Sequence, residues 1–140
     1  MNTFFYVSHP EAQYWEQQGI DWRATALTNL ADVSTDLPAS GEKLDQAGHP
    51  FLKVMLHKDA LGPSRLLLPK LFDEALGPGY KVAIPERTCA IAFREDLSAE
   101  QARDVDAMIN GCFEHGTEPM SPARFDAWQF WTSIETAARR

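Results

Sequence analysis

Residues 80–93 read Tyr-Lys-Val-Ala-Ile-Pro-Glu-Arg-Thr-Cys-Ala-Ile-Ala-Phe, and this stretch decides the fold because its pattern predicts a β-hairpin. Apolar residues alternate along both strands, which predicts that one face of the hairpin turns toward the core. Residues 85–88 lack an Asn-Gly or Asp-Gly pair, so we expect a four-residue turn. The predicted register pairs large apolar side chains across the strands: Ile84 with Cys89, Val82 with Ile91, and Tyr80 with Phe93.

Two helices are predicted before the hairpin. Pro10 suits the first turn of a helix that ends near Gln18, and Asp21 is a candidate N-cap for the second helix. Apolar residues recur at helical spacing in the second helix: Trp22, Ala26, Leu30 and Val33. Residues 34–48 are rich in Ser, Thr, Asp, Pro and Gly, which predicts a loop.

Between this loop and the hairpin, residues 51–57 predict a buried strand. The segment that follows, residues 64–76, can be interpreted in two ways. A helix over residues 64–76 would place Pro69 in its interior at a cost of about 3 kcal/mol. A strand over residues 65–68 makes Pro69 the first residue of a short helix at almost no cost. We therefore predict the strand, followed by a helix from Pro69 that ends at Gly77.

The last part of the chain begins with its strongest helix signal. Ser98 and Gln101 match a capping box, and apolar residues at helical spacing follow as far as Gly116. The Ser-Pro pair before residues 125–131 favours a helix there, whereas their aromatic residues favour a strand. We predict a strand for this segment.

These elements predict an α+β fold: N-terminal helices followed by ββαββαβ, with a mainly antiparallel sheet and helices packed on one face. A chain of 140 residues can hold a single core, so one domain is expected. Within that domain we expect a helical part, a loop, an α+β core and a frayed tail, at residues 1–33, 34–48, 49–132 and 133–140.

The composition limits the classes of function. The chain has 13 Lys and Arg residues against 20 Asp and Glu residues, a net charge of −7 that would repel phosphate backbones. No apolar run approaches the roughly 20 residues that cross a bilayer. The first ten residues lack the basic region and cleavage site of a signal peptide. We therefore expect a cytoplasmic protein that binds neither nucleic acid nor membranes.

The sequence contains no catalytic or cofactor motif, and we predict neither a cofactor nor a metal site. Its four histidines belong to no ligand motif such as His-Glu-x-x-His. Cys89 and Cys112 are predicted to face the core, where a free cysteine behaves as a small hydrophobe, and to stay reduced. A disulfide between them is conceivable if the helix packs on the hairpin, but a cytoplasmic setting argues against it. Gly77 and Gly79 follow a predicted helix rather than precede one, which is the reverse of a phosphate-binding loop.

Two sets of residues are candidate sites. Acidic residues around the capped helix, together with a tryptophan, are predicted to bind a basic protein partner: Glu95, Asp96, Asp104, Glu114, Glu118 and Trp128. The most concrete form of this prediction is a non-catalytic immunity or antitoxin-like protein. The alternative is an enzyme or small-molecule-binding domain whose pocket forms at strand ends from His57, Asp59 and Arg87.

Three stretches carry a family resemblance. They read Trp-Arg-Ala-Thr-Ala-Leu-Thr-Asn-Leu at residues 22–30, Tyr-Lys-Val-Ala-Ile-Pro-Glu-Arg-Thr at residues 80–88, and Met-Ile-Asn-Gly-Cys-Phe at residues 108–113, the last followed by Glu-Pro-Met-Ser-Pro-Ala-Arg-Phe at residues 118–125. In the order of these stretches the chain resembles the YtpQ-like family of uncharacterised bacterial proteins. The resemblance covers most of the chain and implies a cytoplasmic α+β domain without an assigned activity.

Overall fold

The computed structural model describes residues 8–131 and arranges them as helices and a five-stranded sheet. The helices are α1 (His9–Gln17), α2 (Trp22–Asp32), α3 (Asp73–Leu76) and α4 (Ala99–His115). The strands are β1 (Gly41–Leu44), β2 (Pro50–Met55), β3 (Lys81–Glu86), β4 (Cys89–Phe93) and β5 (Phe125–Asp126). Two 3₁₀ helices, Pro63–Leu67 and Pro69–Leu71, precede α3. The predicted α+β class is confirmed, and the predicted tail at residues 133–140 lies outside the described residues.

Local signals in the sequence begin both N-terminal helices. Ser8 caps α1 by accepting a hydrogen bond from the backbone N–H of Glu11, and Pro10 stands in the first turn. Asp21 caps α2 in the same way through the backbone N–H of Ala24. Neither helix contains a buried residue, so the predicted apolar stripe of α2 does not enter the core.

The strands of the sheet pair antiparallel throughout, in the order β1-β2-β4-β3-β5. The hairpin of β3 and β4 therefore lies in the middle of the sheet, with β2 beside β4. Both outer strands are short: β5 has two residues, and the pairing of β1 with β2 is irregular between Lys43 and Leu44.

The sheet is buried on both faces, although the sequence predicted helices on only one. Helix α4 covers one face, where the buried cluster contains Phe51, Leu52, Ala83, Cys89, Ile91, Phe93, Val105 and Ile109. The 3₁₀ helices and α3 cover the other face, where the buried cluster contains Met55, Leu66, Phe72, Leu76, Tyr80, Val82, Ala90, Ala92 and Ala127. The prediction was wrong on this point because alanines in β3 and β4 pack into the core on both faces of the sheet. A small side chain such as alanine does not clearly mark a face as buried in the sequence pattern.

The hairpin forms where predicted, but its register is shifted by one residue. Val82 lies opposite Ala92, and Ala83 lies opposite Ile91. Every residue of β4 is buried, so alternation between apolar and polar residues cannot fix the register of the pair. Three predicted cross-strand pairs are therefore wrong: Val82 with Ile91, Ile84 with Cys89, and Tyr80 with Phe93.

The turn of the hairpin has two residues rather than the predicted four. Glu86 pairs with Cys89, so Arg87 and Thr88 alone form the turn. The Glu86 carboxylate accepts hydrogen bonds from the backbone N–H and the hydroxyl of Thr88, at 3.1 and 2.9 Å. This side chain supports a tight turn that lacks the usual Asn-Gly pair.

Residues 65–68, predicted as a strand, lie mostly in the first 3₁₀ helix. Pro63 stands in the first turn of that helix, and Pro69 begins the next 3₁₀ helix, as its fixed backbone angle favours. The predicted start at Pro69 is therefore confirmed, while the strand before it is wrong. A run of three leucines is short enough to suit either structure, so the pattern alone does not separate them.

Two further segments differ from the predictions. Residues 34–48 were predicted as a loop but contain β1. An edge strand tolerates charged residues, and Glu42 and Lys43 leave β1 without the apolar pattern by which a strand is predicted. Residues 125–131, predicted as a strand, are extended only over the first two, and residues 128–131 are helical.

Candidate functional site

Helix α4 positions the acidic residues of the first candidate site. The helix begins at a complete capping box: the Ser98 hydroxyl accepts from the backbone N–H of Gln101, and the Gln101 side chain accepts from the backbone N–H of Ser98, at 3.1 and 3.0 Å. The inner side of the helix buries Val105 and Ile109. The predicted cap and apolar stripe are confirmed, and the acidic residues of the helix are exposed or, at Asp104, half-buried.

The carboxylates along and beside α4 form what we call the acidic surface; its members are Glu95, Asp96, Glu100, Asp104, Glu114 and Glu118. Glu118 pairs with Arg87 at 2.8 Å, and Asp96 lies 3.8 Å from Arg94. The exposed Arg103 lies on the same helix. Four members have no ion-pair partner among residues 8–131, namely Glu95, Glu100, Asp104 and Glu114. The fold therefore leaves an excess of negative charge at this surface.

A cleft of about 650 Å³ lies at the N-terminal end of the acidic surface, between α4 and the connection from β1 to β2. Asp45 and Arg94 line it and form an ion pair of 2.9 Å. The backbone N–H of His49, followed by the Arg94 side chain, holds the pKa of Asp45 below its ordinary value. Glu100 and Asp104 line the same cleft, so its carboxylates outnumber its cations.

Trp128 is the other residue predicted to bind a partner, and this residue is 53% exposed. It follows β5, at the sheet edge next to β3. An ion pair of 2.6 Å between Asp106 of α4 and Arg124 joins the helix to the segment before β5. Within the described part of the chain, no ion pair, side-chain hydrogen bond or ring contact joins Trp128 to the acidic surface.

The three residues of the alternative site have separate partners. Arg87 pairs with Glu118, whereas the Asp59 carboxylate accepts two hydrogen bonds from Arg65, at 2.9 and 2.6 Å. His57 Nε2 lies 2.9 Å from the carbonyl oxygen of Pro38, in the segment before β1. His57 and Asp59 are near neighbours in the connection after β2, and each of the three side chains holds part of the fold together.

Arg65 is fully buried, which the sequence did not predict. Besides its two hydrogen bonds to Asp59, its Nε donates to the hydroxyl of Ser34, which is also buried, at 2.9 Å. The guanidinium thereby joins the end of the N-terminal helices to the turn after β2 and to the first 3₁₀ helix. Hydrogen bonding to Arg65 lowers the pKa of Asp59 to about 2, against the opposing effect of burial. An arginine beside a leucine run gives no sequence signal of this role, because its partners are 6 and 31 residues away.

An apolar groove of about 760 Å³ separates α2 from the first 3₁₀ helix. Its lining is mainly aliphatic and aromatic: Trp22, Ala26, Leu27, Leu30, Val33, Leu61 and Leu67. The apolar stripe predicted for α2 therefore lines this groove rather than the core. At the start of α2, the Arg23 guanidinium lies 4.4 Å from the centre of the Trp22 ring and pairs with Glu16 at 3.0 Å.

The described residues hold no obvious metal site. No group of three or more His, Cys, Asp or Glu side chains within residues 8–131 is arranged to hold a metal ion. In the same range, no helix has the length and apolar character needed to cross a membrane.

Comparisons with known proteins provide no relative. No protein-family model matches the chain. No curated protein and no solved structure matches it either. The resemblance to the YtpQ-like family therefore stays a prediction from the sequence, and the function has to be argued from the site itself.

Proposed function

We propose that this chain is a non-catalytic binding protein whose acidic surface binds a basic protein partner, most concretely as an immunity or antitoxin-like protein. The observation that carries the proposal is the set of four carboxylates on and beside α4 that have no ion-pair partner among residues 8–131. Carboxylates that form no ion pair within the fold are available to the cations of a partner, and complementary charge accelerates association and selects between partners. The net charge of −7 extends the same attraction over the whole molecule and opposes binding to nucleic acid.

Two partly buried carboxylates, Asp59 and Asp45, are held in ion pairs and are poorly suited to general acid–base catalysis. Asp59 and Asp45 are each paired with an arginine, at 2.6 and 2.9 Å. Their pKa values lie below the ordinary value, so both carboxylates stay ionised near neutral pH. A general acid or base works best with a pKa near the working pH, and these two groups are shifted the opposite way.

Charge reversal tests the acidic surface. In a variant with Glu95→Lys, Asp104→Lys and Glu114→Lys, we expect recovery of the basic partner from source cell lysate to fall at least about tenfold at low salt. Recovery by the wild-type protein should itself weaken as salt is added, because exposed charges are screened over about 8 to 10 Å near physiological ionic strength. Thermal melts of each variant establish that the fold is retained.

A matched variant distinguishes the effect of where the charges lie from the effect of the net charge. Asp32→Lys, Asp36→Lys and Glu74→Lys change the net charge by the same amount at exposed positions away from α4. This control weakens only the long-range attraction from the net charge, so it should lose much less of the recovery than the variant of the acidic surface. Equal losses in the two variants would place the interaction outside the acidic surface. Failure of the wild type to recover any basic protein at low salt would overturn the proposed function.

The apolar groove favours a second candidate function, small-molecule binding. Ligand sites are concave, mostly apolar and about 300 to 1,000 Å³, and the groove beside α2 has a volume of about 760 Å³. Leu27→Trp would fill the groove from one wall. A metabolite that raises the melting temperature of the wild type but not of this variant would support the second candidate. A metabolite set that shifts neither melting temperature would count against it.

A further inference from the structure

A second groove, which we call the thiol groove, lies between α4 and the sheet and has a volume of about 370 Å³. Both cysteines of the chain line it. Its other walls include Leu56, Met108 and Gly111. A methyl group added at Gly111, next to Cys112 in the chain, would meet nothing within 4 Å, so the groove is open on this side.

The two cysteines differ in access. Cys89 on β4 is 2% exposed and belongs to the buried cluster under α4. Cys112 on α4 is half-buried and packs against the same cluster from the helix side. Both are free thiols. A reagent that enters the thiol groove therefore reaches Cys112 first, and Cys89 lies behind it.

The thiols also interact with each other. Burial raises the pKa of the Cys89 thiol to about 12, and the neighbouring Cys112 contributes to the rise. Cys89 therefore stays protonated in the reduced protein and is a poor nucleophile toward reagents from solution. Glu86, which also lines the thiol groove, adds to the rise.

We propose that Cys112 and Cys89 form a reversible disulfide by thiol–disulfide exchange with a low-molecular-weight disulfide that enters the thiol groove. In the first step the Cys112 thiolate attacks one sulfur of the small disulfide, which forms a mixed disulfide on Cys112 and releases one small thiolate. In the second step the Cys89 sulfur attacks the Cys112 sulfur, the Cys89 proton passes to the departing small thiolate, and the second small thiol leaves. Two protein thiols are oxidised, and one small disulfide is reduced to two thiols.

The covalent link would join α4 to the central strand β4, across one face of the sheet. The helix then could not separate from the hairpin without breaking the bond. A small thiol in excess reverses both steps, so the bond responds to the ratio of thiol to disulfide in the surroundings.

The test uses the full-length native protein with oxidised glutathione as the probe, followed by acid quenching and mass spectrometry of peptides. The wild type should lose two hydrogen atoms and yield one linked pair of peptides containing Cys89 and Cys112. Cys89→Ser should stop at glutathione attached to Cys112. Cys112→Ser should remain unmodified over the same time. Modification of Cys89 in Cys112→Ser at the wild-type rate, or a wild type that stops at the mixed disulfide, would overturn the proposal.

A further variant excludes oxidation of the unfolded chain. Ser98→Ala removes the cap of α4 far from the thiols and should raise the unfolded population about fivefold. If oxidation occurs in the native groove, its rate in Ser98→Ala should match that of the wild type. A rate that rises about fivefold in this variant would show that the cysteines react only after unfolding, and the native groove would then have no role.

Discussion

The guanidinium of Arg65 is the most demanding group in the core, because a buried charge without a partner costs several kcal/mol. The structure satisfies it because the guanidinium donates two hydrogen bonds to the Asp59 carboxylate and one to the Ser34 hydroxyl. Paired bonds of this kind between an arginine and a carboxylate are short and directional. They fix the position of the turn after β2 relative to the end of α2. Hydrophobic contacts alone are not directional and would fix this position less specifically.

The Arg65 and Asp59 pair predicts a loss of stability in acid. The pKa of Asp59 is lowered from 3.8 to about 2, so the folded state is stabilised above pH 3.8, and this stabilisation is lost as the pH falls toward 2. A shift of this size corresponds to about 2 kcal/mol. Urea unfolding of the wild type between about pH 5 and pH 2 should show this decrease.

Two variants isolate the contribution of Asp59. Asp59→Asn removes the titrating group and leaves Arg65 without its counter-ion, so it should lower the unfolding free energy at neutral pH by about 3 kcal/mol and flatten the acid dependence. Glu118→Gln disrupts an ion pair that is more than half exposed on both sides, so it should cost less than about 1 kcal/mol and keep the wild-type slope. An Asp59→Asn variant with the wild-type slope would refute the role of the pair.

At the scale of the elements, the central hairpin illustrates what the sequence could and could not predict. Its position follows from local alternation, and the caps at Ser98 and Asp21 follow from residues close together in the chain. The register depends on which face each strand buries, and both faces are covered by elements distant in sequence. The predicted pairing of Val82 with Ile91 therefore failed, although both residues are buried as expected.

A double-mutant cycle tests the observed register. Ile91→Ala should lower the unfolding free energy by about 2 to 4 kcal/mol, because Ile91 is fully buried under α4. Its effect should be coupled to that of Ile109→Ala in the same cluster. Its effect should add to that of Val82→Ala within about 0.5 kcal/mol, because Val82 faces the opposite cluster. Urea midpoints of the single and double variants provide these values. Strong coupling between Ile91 and Val82 would favour the register in which these two residues face each other.

At the scale of the whole molecule, residues 8–131 form a two-sided core and two N-terminal helices, α1 and α2, that contain no buried residue. Local stability follows the density of buried contacts, so the two parts should open independently. We expect amide hydrogens of α1 and α2 to exchange at least about tenfold faster than those of β4 and the middle of α4. Hydrogen exchange followed by mass spectrometry measures this difference directly. Equal protection in both parts would mean that the N-terminal helices unfold only together with the core.

The acidic part of the candidate site could be predicted from the sequence, whereas the contacts between its residues could not. The acidic residues of α4 could be placed on one helix from spacing alone, and the capping box located its start. The pairing of Glu118 with Arg87 joins residues 31 positions apart, and no local pattern reports such a contact. The same distance in sequence conceals the burial of Arg65 and the shared groove of the two cysteines. Sequence reasoning therefore identified the exposed charges and missed the buried polar contacts.

The short outer strands of the sheet bear on how the protein behaves when concentrated. A strand edge with unpaired backbone groups can recruit a strand from another molecule and begin aggregation. Strand β1 has only four residues, among them the charged Glu42 and Lys43, and its pairing is interrupted before Leu44, while β5 has only two residues. Neither edge offers a long, flat and uncharged run for intermolecular pairing. The chain should therefore resist edge-to-edge self-association even though its central strands are almost entirely apolar.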